Sequence, residues 1–200
     1  MEAGRALVSY TCVIGIDPGS TGAAVAIDRA RNVTEIRFAK ANQYALAVEF
    51  SLNALIHKPW ALMELTHGRE CDDVVGAYVF GRNAGRIEGF MFSNGVPLDY
   101  VDPQEWKKHY SLLSYEYDEG KRLARDKAKI LFPGSSPTKD TGDAYLLADL
   151  AWQIMFGGKT NATLLSDSVP ADVLNSSVRR LRSKHGTNRK RSPKRYNRDT

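Results

Sequence analysis

Four carboxylates stand out for the company they keep. Asp17 closes the apolar run VIGID (13–17), directly before Pro-Gly-Ser-Thr-Gly, and Glu64 is the single charge in WALMEL (60–65). Asp140 and Asp143 lie three residues apart in KDTGDAYLLADLAW (139–152), at a helix start, a spacing that projects both from one helix face. An ionised carboxylate removed from water is costly unless a cation, a partner or solvent meets it. Four acids converging in a chain with few histidines and no cysteine pair suit a hard, oxygen-preferring cation, Mg²⁺ or Mn²⁺, better than zinc.

Each acid also has a plainer account. Asp140 and Asp143 could complement the dipole of a helix start. Asp17 could initiate a turn before Pro-Gly, as Asp28 does at the next strand end. Glu64 resists such an explanation, because strand interiors seldom hold glutamate without a partner. Its neighbours on the same strand face are Leu62 and Thr66. Asp149 does not join the set: nine residues beyond Asp140, it points to the opposite side of the helix.

To meet, these acids need two strand ends beside a helix start. Three β-rich segments come first, Tyr10 to Asp17, Ala23 to Asp28 and Val33 to Ala39, with turn residues at Pro18-Gly19-Ser20 and Arg31-Asn32, so sequential antiparallel pairing is expected. Helix and strand then alternate. NQYALAVEFSLNALIHK (42–58) has helical spacing, WALMEL is a strand, Asp72 to Phe92 is a helix, VPLDYV (96–101) is a strand, and Asp102-Pro103 opens a helical turn in PQEWKKHY (103–110). Two more helices, Asp118 to Phe132 and Lys139 to Phe156, flank the breaker PGSSPTK (133–139). The expected fold is α/β, a mixed sheet of about five strands with helices on both faces.

Two hundred residues with 42% hydrophobic and 26% charged content suit one soluble domain with appendages. No membrane is implied, since apolar runs break well before the roughly 20 residues a spanning helix needs, and MEAGRALVSY lacks the pattern of a secretory leader. The expectation is an intracellular protein, in the cytoplasm of a bacterium or a virus-infected cell, or in an organelle after loss of a transit peptide. Cys12 and Cys71 form neither a disulfide framework nor a CxxC site; Cys12 is expected in the core and Cys71 as a free thiol.

Charge is distributed unevenly. Val178 to Thr200 carries 10 Lys or Arg against Asp199 alone, leaving 18 bases and 22 acids in the preceding 177 residues. The expected organisation is an extension at 1–9, a folded domain at 10–157, a linker at 158–177 and a basic, disordered tail at 178–200. Such a tail can serve solubility alone. Its charge pattern favours attachment to a nucleic-acid backbone through Arg179, Arg180, Arg182, Arg189, Lys190 and Arg191.

The ordered set GIDPGSTGAAVA (15–26), LMEL (62–65) and DTGDAYLLA (140–148) resembles the motifs of the RuvC-type Holliday junction resolvases, within the ribonuclease H-like superfamily. YVDPQEWKKHY and GKRLARDKAKILFP, within 100–133, are similar to the family's segment before its last helix, and most of all to its organellar plant resolvases. The resemblance spans roughly residues 10 to 156. It implies a ribonuclease H-like fold and a structure-selective endonuclease that, as a homodimer, resolves four-way DNA junctions. Asp17, Glu64, Asp140 and Asp143 would ligate two Mg²⁺ ions, with Asp17 shared and Mn²⁺ able to substitute. One ion would activate water and the other would stabilise the leaving 3′ oxygen. Gly15, Gly19 and Gly22 would let backbone and phosphate approach.

The resemblance also gives roles to supporting residues. Lys121, counted among the catalytic residues, and Lys107 match lysines that meet the scissile phosphate. Where relatives carry an aromatic wedge, THGRE (66–70) offers His67 to stack on an unpaired base and Arg69 to contact phosphate. Solvated lysines and an ordinary loop histidine are the plainer accounts. Gly76, Gly81, Gly85 and Gly89 recur along one helix, which suggests close packing against the protein's own sheet or, in the resemblance, a second copy. Trp60, Trp106 and Trp152 are expected in the core.

Other functions share these residues. A nuclease of the same fold could act on flaps, forks or RNA–DNA hybrids, and a non-catalytic protein could bind junctions on that fold. Actin-like and sugar-kinase ATPases open on a similar strand, aspartate and glycine turn. They need a second such half, and no internal repeat is visible.

Overall fold

The pleat of the first strand sets the two faces of the sheet. In the computed structural model, which describes residues 10–40, 57–65, 74–113 and 115–157, β1 (Cys12–Asp17) is buried from end to end. That is the signature of a central strand covered on both sides. β2 (Ala23–Asp28) and β3 (Val33–Arg37) follow it, then β4 (Pro59–Glu64), α1 (Val74–Ser93), β5 (Leu98–Val101), α2 (Pro103–His109), α3 (Tyr117–Leu131) and α4 (Gly142–Phe156). The strands lie in the order β3-β2-β1-β4-β5. β1, β2 and β3 pair antiparallel, whereas β1, β4 and β5 run parallel. This is the mixed five-stranded sheet expected from the sequence.

Alternate residues feed two cores. Val13, Val25, Ile27, Trp60, Leu62 and Val101 face α2, α3 and α4, meeting Trp106, Ala124, Ala128 and Leu147. Ile14, Ile16, Ala24, Ala61 and Met63 face the other way, onto Ile87 and Met91 of α1. Helices therefore cover both faces. α4 is the most enclosed helix, with every residue from Gly142 to Asp149 buried. It lies so near β1 that a Cβ on Gly15 would stand 2.0 Å from the Ala148 amide nitrogen. At Gly22 a Cβ would stand 2.3 Å from the Asp17 carbonyl oxygen. These two glycines thus serve helix packing and the β1–β2 turn, a correction to their expected role in admitting a phosphate.

Element ends differ from expectation for local reasons. β3 stops at Arg37, and Phe38–Lys40 forms a 3-10 turn. β5 begins at Leu98 because Pro97 has no amide to give the ladder, although its carbonyl accepts from Ala61. α4 begins at Gly142: the Thr138 amide donates to Thr141 Oγ1, closing a turn across the residues expected to start the helix. The helix expected at 42–58, the extension at 1–9, Cys71, the linker and the tail lie wholly or almost wholly outside the described residues. Cys12 is buried, and burial pushes its thiol up to about 11. Trp60 and Trp106 are core residues; Trp152 is only half-buried and donates its indole N–H to the Asp28 carbonyl.

α1 buries only Ala84, Ile87 and Met91. Its glycines do not pack on the sheet: Gly76 is exposed, and a Cβ at Gly81, Gly85 or Gly89 would meet nothing within 4 Å. Gly15→Ala should therefore destabilise the protein by about 1–3 kcal/mol or more through overpacking. Gly85→Ala should instead stabilise the fold by up to about 1 kcal/mol. Urea unfolding of both variants at low concentration checks the pair.

Candidate metal centre

Two adjacent parallel strands deliver the first two acids. Ile16 pairs with Met63 across β1 and β4, so Asp17 and Glu64 each stand one residue farther on, at the carboxyl ends of neighbouring strands. Both share the sheet face of Val13 and Leu62, the face that α4 covers. The Gly19 amide donates to Asp17 Oδ1 at 3.1 Å, which fixes the carboxylate over its own turn. From α1, Asn83 Nδ2 donates to the carbonyls of Pro18 at 2.6 Å and Gly19 at 3.2 Å, anchoring that turn.

The third acid enters from the helix. Asp143, in the first turn of α4 and only 4% exposed, lies 2.7 Å from Lys121 Nζ through its Oδ2. The same Nζ lies 3.4 Å from Asp17 Oδ2, so one ammonium from α3 bridges an acid of β1 and an acid of α4. Glu64 accepts instead from the indole Nε1 of Trp106 on α2, at 3.2 Å from its Oε2. α2 is itself seated by Asp102, whose Oδ1 caps its first turn by accepting from the Gln104 amide at 2.7 Å.

The electrostatics are those of crowded like charges. Burial, then the charge of Asp17, pushes the Glu64 carboxyl up to about 7 against the pull of Lys107, with Asp143 adding to the rise. Burial also raises Asp143, opposed by Lys121. For Lys121 burial works against the ammonium, but the charges of Asp17 and Asp143 and the bond to Asp143 outweigh it and hold the group well above its usual range. Lys107 stands over the Trp106 ring at 5.3 Å, and its charge reaches both Glu64 and Asp143.

Asp17, Glu64, Asp143, Lys121 and Lys107 are thus brought together. Asp140 is not: because α4 starts at Gly142, Asp140 lies in the preceding turn, exposed, and the charges acting on Glu64 and Asp143 come from other residues. His67, Arg69 and the basic tail residues, from Arg179 to Arg191, lie outside the described residues. Asp149 faces away, as expected, and is held by Arg31, Tyr110 and Gln153. Asn83 and the donor role of Trp106 escaped the sequence. Their contacts span 65 and 42 residues, and nothing local marks them.

A hard divalent cation fits the chemistry of these donors: two buried acids and the half-buried Glu64 supply oxygen ligands, and Glu64 has no cationic hydrogen-bond partner among those described. Among the described residues, no three acid, histidine or cysteine groups already stand in a cation-holding arrangement. The ammonium of Lys121 lies between two of the acids.

No family model matches the chain, and no curated protein does. Among solved structures it is similar to Thermus thermophilus RuvC in complex with Holliday junction substrate, at 18% identity and a TM-score of 0.47, over 73% of this chain and 96% of that one. A second structure of Thermus thermophilus RuvC matches at 16% identity and a TM-score of 0.43, over 72% and 96%. Likeness at this level carries no chemistry, which rests on the geometry above.

Glu64 gives a pH test. Its folded value, about 7, lies above the ordinary 4.5, so the folded state holds an extra proton between these values. The associated stability is fully present below pH 4.5 and is lost as pH rises through 7. In EDTA, Glu64→Gln should melt above wild type at pH 8, by up to about 3 kcal/mol of stability, with the advantage shrinking toward pH 4.5. A pH-independent difference in thermal melts would contradict the assignment.

Proposed function

We propose that this chain is a metal-dependent endonuclease of the RuvC type, which cuts four-way DNA junctions and works as a homodimer. The observation that carries the proposal is the meeting of Asp17, Glu64 and Asp143 with Lys121 where β1, β4 and α4 converge. The nuclease domain would be residues 10–157, followed by a linker and a DNA-binding tail, in an intracellular protein.

Asp17, Glu64 and Asp143 would hold Mg²⁺, with Asp140 joining from the turn before α4. Two such ions, when bound, supply the Lewis acidity that phosphodiester hydrolysis needs, and Mn²⁺ would substitute. The protein's own residues do the placing. Trp106 fixes one oxygen of Glu64, and Asn83 and the Gly19 amide keep the Asp17 turn rigid. Lys107 and Lys121 offer positive charge to the phosphate that must approach three acids. His67 and Arg69 would contact the junction beside the site, and the basic tail would add salt-dependent affinity.

Pairing is supported by α1. Val74, Val75, Tyr78 and Val79 are exposed on its N-terminal half, Tyr78 by 64%, alongside the open glycine positions. A second copy would cover this apolar surface and set two sites against the two symmetric strands of a junction.

Two outcomes are expected. On labelled four-way junction, linear duplex, flap and RNA–DNA hybrid, wild type with Mg²⁺ should make paired symmetric nicks in the junction alone, while Asp17→Asn, Glu64→Gln and Asp143→Asn should cut at background level yet still bind. Asp140→Asn should lose activity in part. Cutting of flaps or hybrids would reassign the substrate; junction binding without cutting in any metal would leave a binding protein. Tyr78→Glu should sediment as a monomer and nick without pairing the cuts.

A further inference from the structure

The acid cluster already holds a cation, and it is a side chain. Lys121 Nζ donates to Asp143 Oδ2 at 2.7 Å and approaches Asp17 Oδ2 at 3.4 Å, so it ties β1 to α4 from a third element, α3. Lys121 is itself mostly buried, with its side chain 21% exposed, so the contact is weakly screened by solvent. Two of the three acids thereby have a cationic partner, while Glu64 has a neutral indole. The oxygens that hold the ammonium are those a divalent ion would need, and a second cation beside it would meet strong repulsion at such range.

We propose that Lys121 is a stand-in cation, which keeps Asp17 and Asp143 together in the metal-free protein and is displaced from between them when a divalent ion binds. This rests on the metal-site assignment above. The displaced ammonium needs a new anionic partner, and a DNA phosphate entering the site is one. Metal and DNA therefore favour each other's binding, reciprocally, and the metal-free protein folds without exposing three unpartnered acids to one another.

The test uses Mn²⁺ alone, without DNA. Calorimetric titration of Mn²⁺ into wild type, Lys121→Met and Lys107→Met compares two variants that lose the same charge. Lys121→Met should bind at least about tenfold tighter than wild type, because nothing has to leave, whereas Lys107→Met should tighten by less than about threefold through its more distant field. In EDTA, Lys121→Met should melt below wild type, and saturating Mn²⁺ should close the gap. Unchanged or weaker Mn²⁺ binding by Lys121→Met, or equal tightening in both variants, would overturn the proposal.

If Lys121→Met does not fold, wild type still decides. The NMR signal of the Lys121 ε-carbon should shift on Mn²⁺-free Mg²⁺ addition as the ammonium leaves Asp143, and a signal unmoved at saturating Mg²⁺ overturns displacement. Absence of Mn²⁺ binding in wild type, unaltered by Asp143→Asn, would overturn the metal site itself, and the proposal with it.

Discussion

Mutual repulsion among three carboxylates gathered where β1, β4 and α4 meet is the constraint around which the molecule is arranged. Left alone, Asp17, Glu64 and Asp143 would move apart or take up protons, and Glu64 goes part of that way. What prevents separation is the backbone that carries them. Two acids terminate hydrogen-bonded parallel strands one residue beyond a fixed register pair, and the third rises from a helix seated on a glycine. Their backbones cannot separate without breaking the sheet or lifting α4. The positive charge of Lys121 and Lys107 then offsets what geometry imposes.

The far side of α4 explains why that helix holds its place. Asp149 is buried, lies 2.7 Å from Arg31, and accepts from Tyr110 at 2.7 Å and Gln153 at 2.5 Å. Arg31 adopts a positive φ of 70° in the β2–β3 turn and lies over the rings of Phe132 and Trp152. The Tyr110 hydroxyl oxygen also lies 3.1 Å from the Leu146 carbonyl oxygen, so the residue that ends α2 touches α4 directly. Loss of one partner from a buried ion pair costs about 3–5 kcal/mol. α4 is therefore pinned on one face by Asp149 with its three partners and presents elsewhere Asp143, which shares the Lys121 ammonium with Asp17. On the opposite sheet face, α1 reaches the turn after Asp17 through Asn83, so the helix with the exposed apolar surface also anchors that turn.

Much of this was legible in the chain. The burial of β1 and β4 follows from their apolar runs; a lone glutamate in WALMEL calls for a partner, and an aspartate ending VIGID calls for a cation or a turn. That Asp149 would not join the acids is read from its helical angle to Asp140. What escaped was long-range. Trp106 reads as a core residue and is one, but its indole N–H meets an acid on another element. Gly15 reads as part of a phosphate-binding turn, yet its missing Cβ makes room for a helix more than a hundred residues away in sequence. The spaced glycines of α1 suggested packing on the sheet or on a second copy; Gly81, Gly85 and Gly89 lie on an open face, away from the sheet. Asp140 and Asp143 would share a helix face if the helix began where the spacing suggests; a threonine side chain delays its start.

The most direct measurement is a crystal structure of the protein grown with Mn²⁺ and recorded at the manganese absorption edge. The account predicts anomalous density between Asp17, Glu64 and Asp143, with the Lys121 ammonium no longer bridging Asp17 and Asp143. Well-ordered acids with no anomalous peak among them at saturating Mn²⁺, and Lys121 still seated between Asp17 and Asp143, would contradict it.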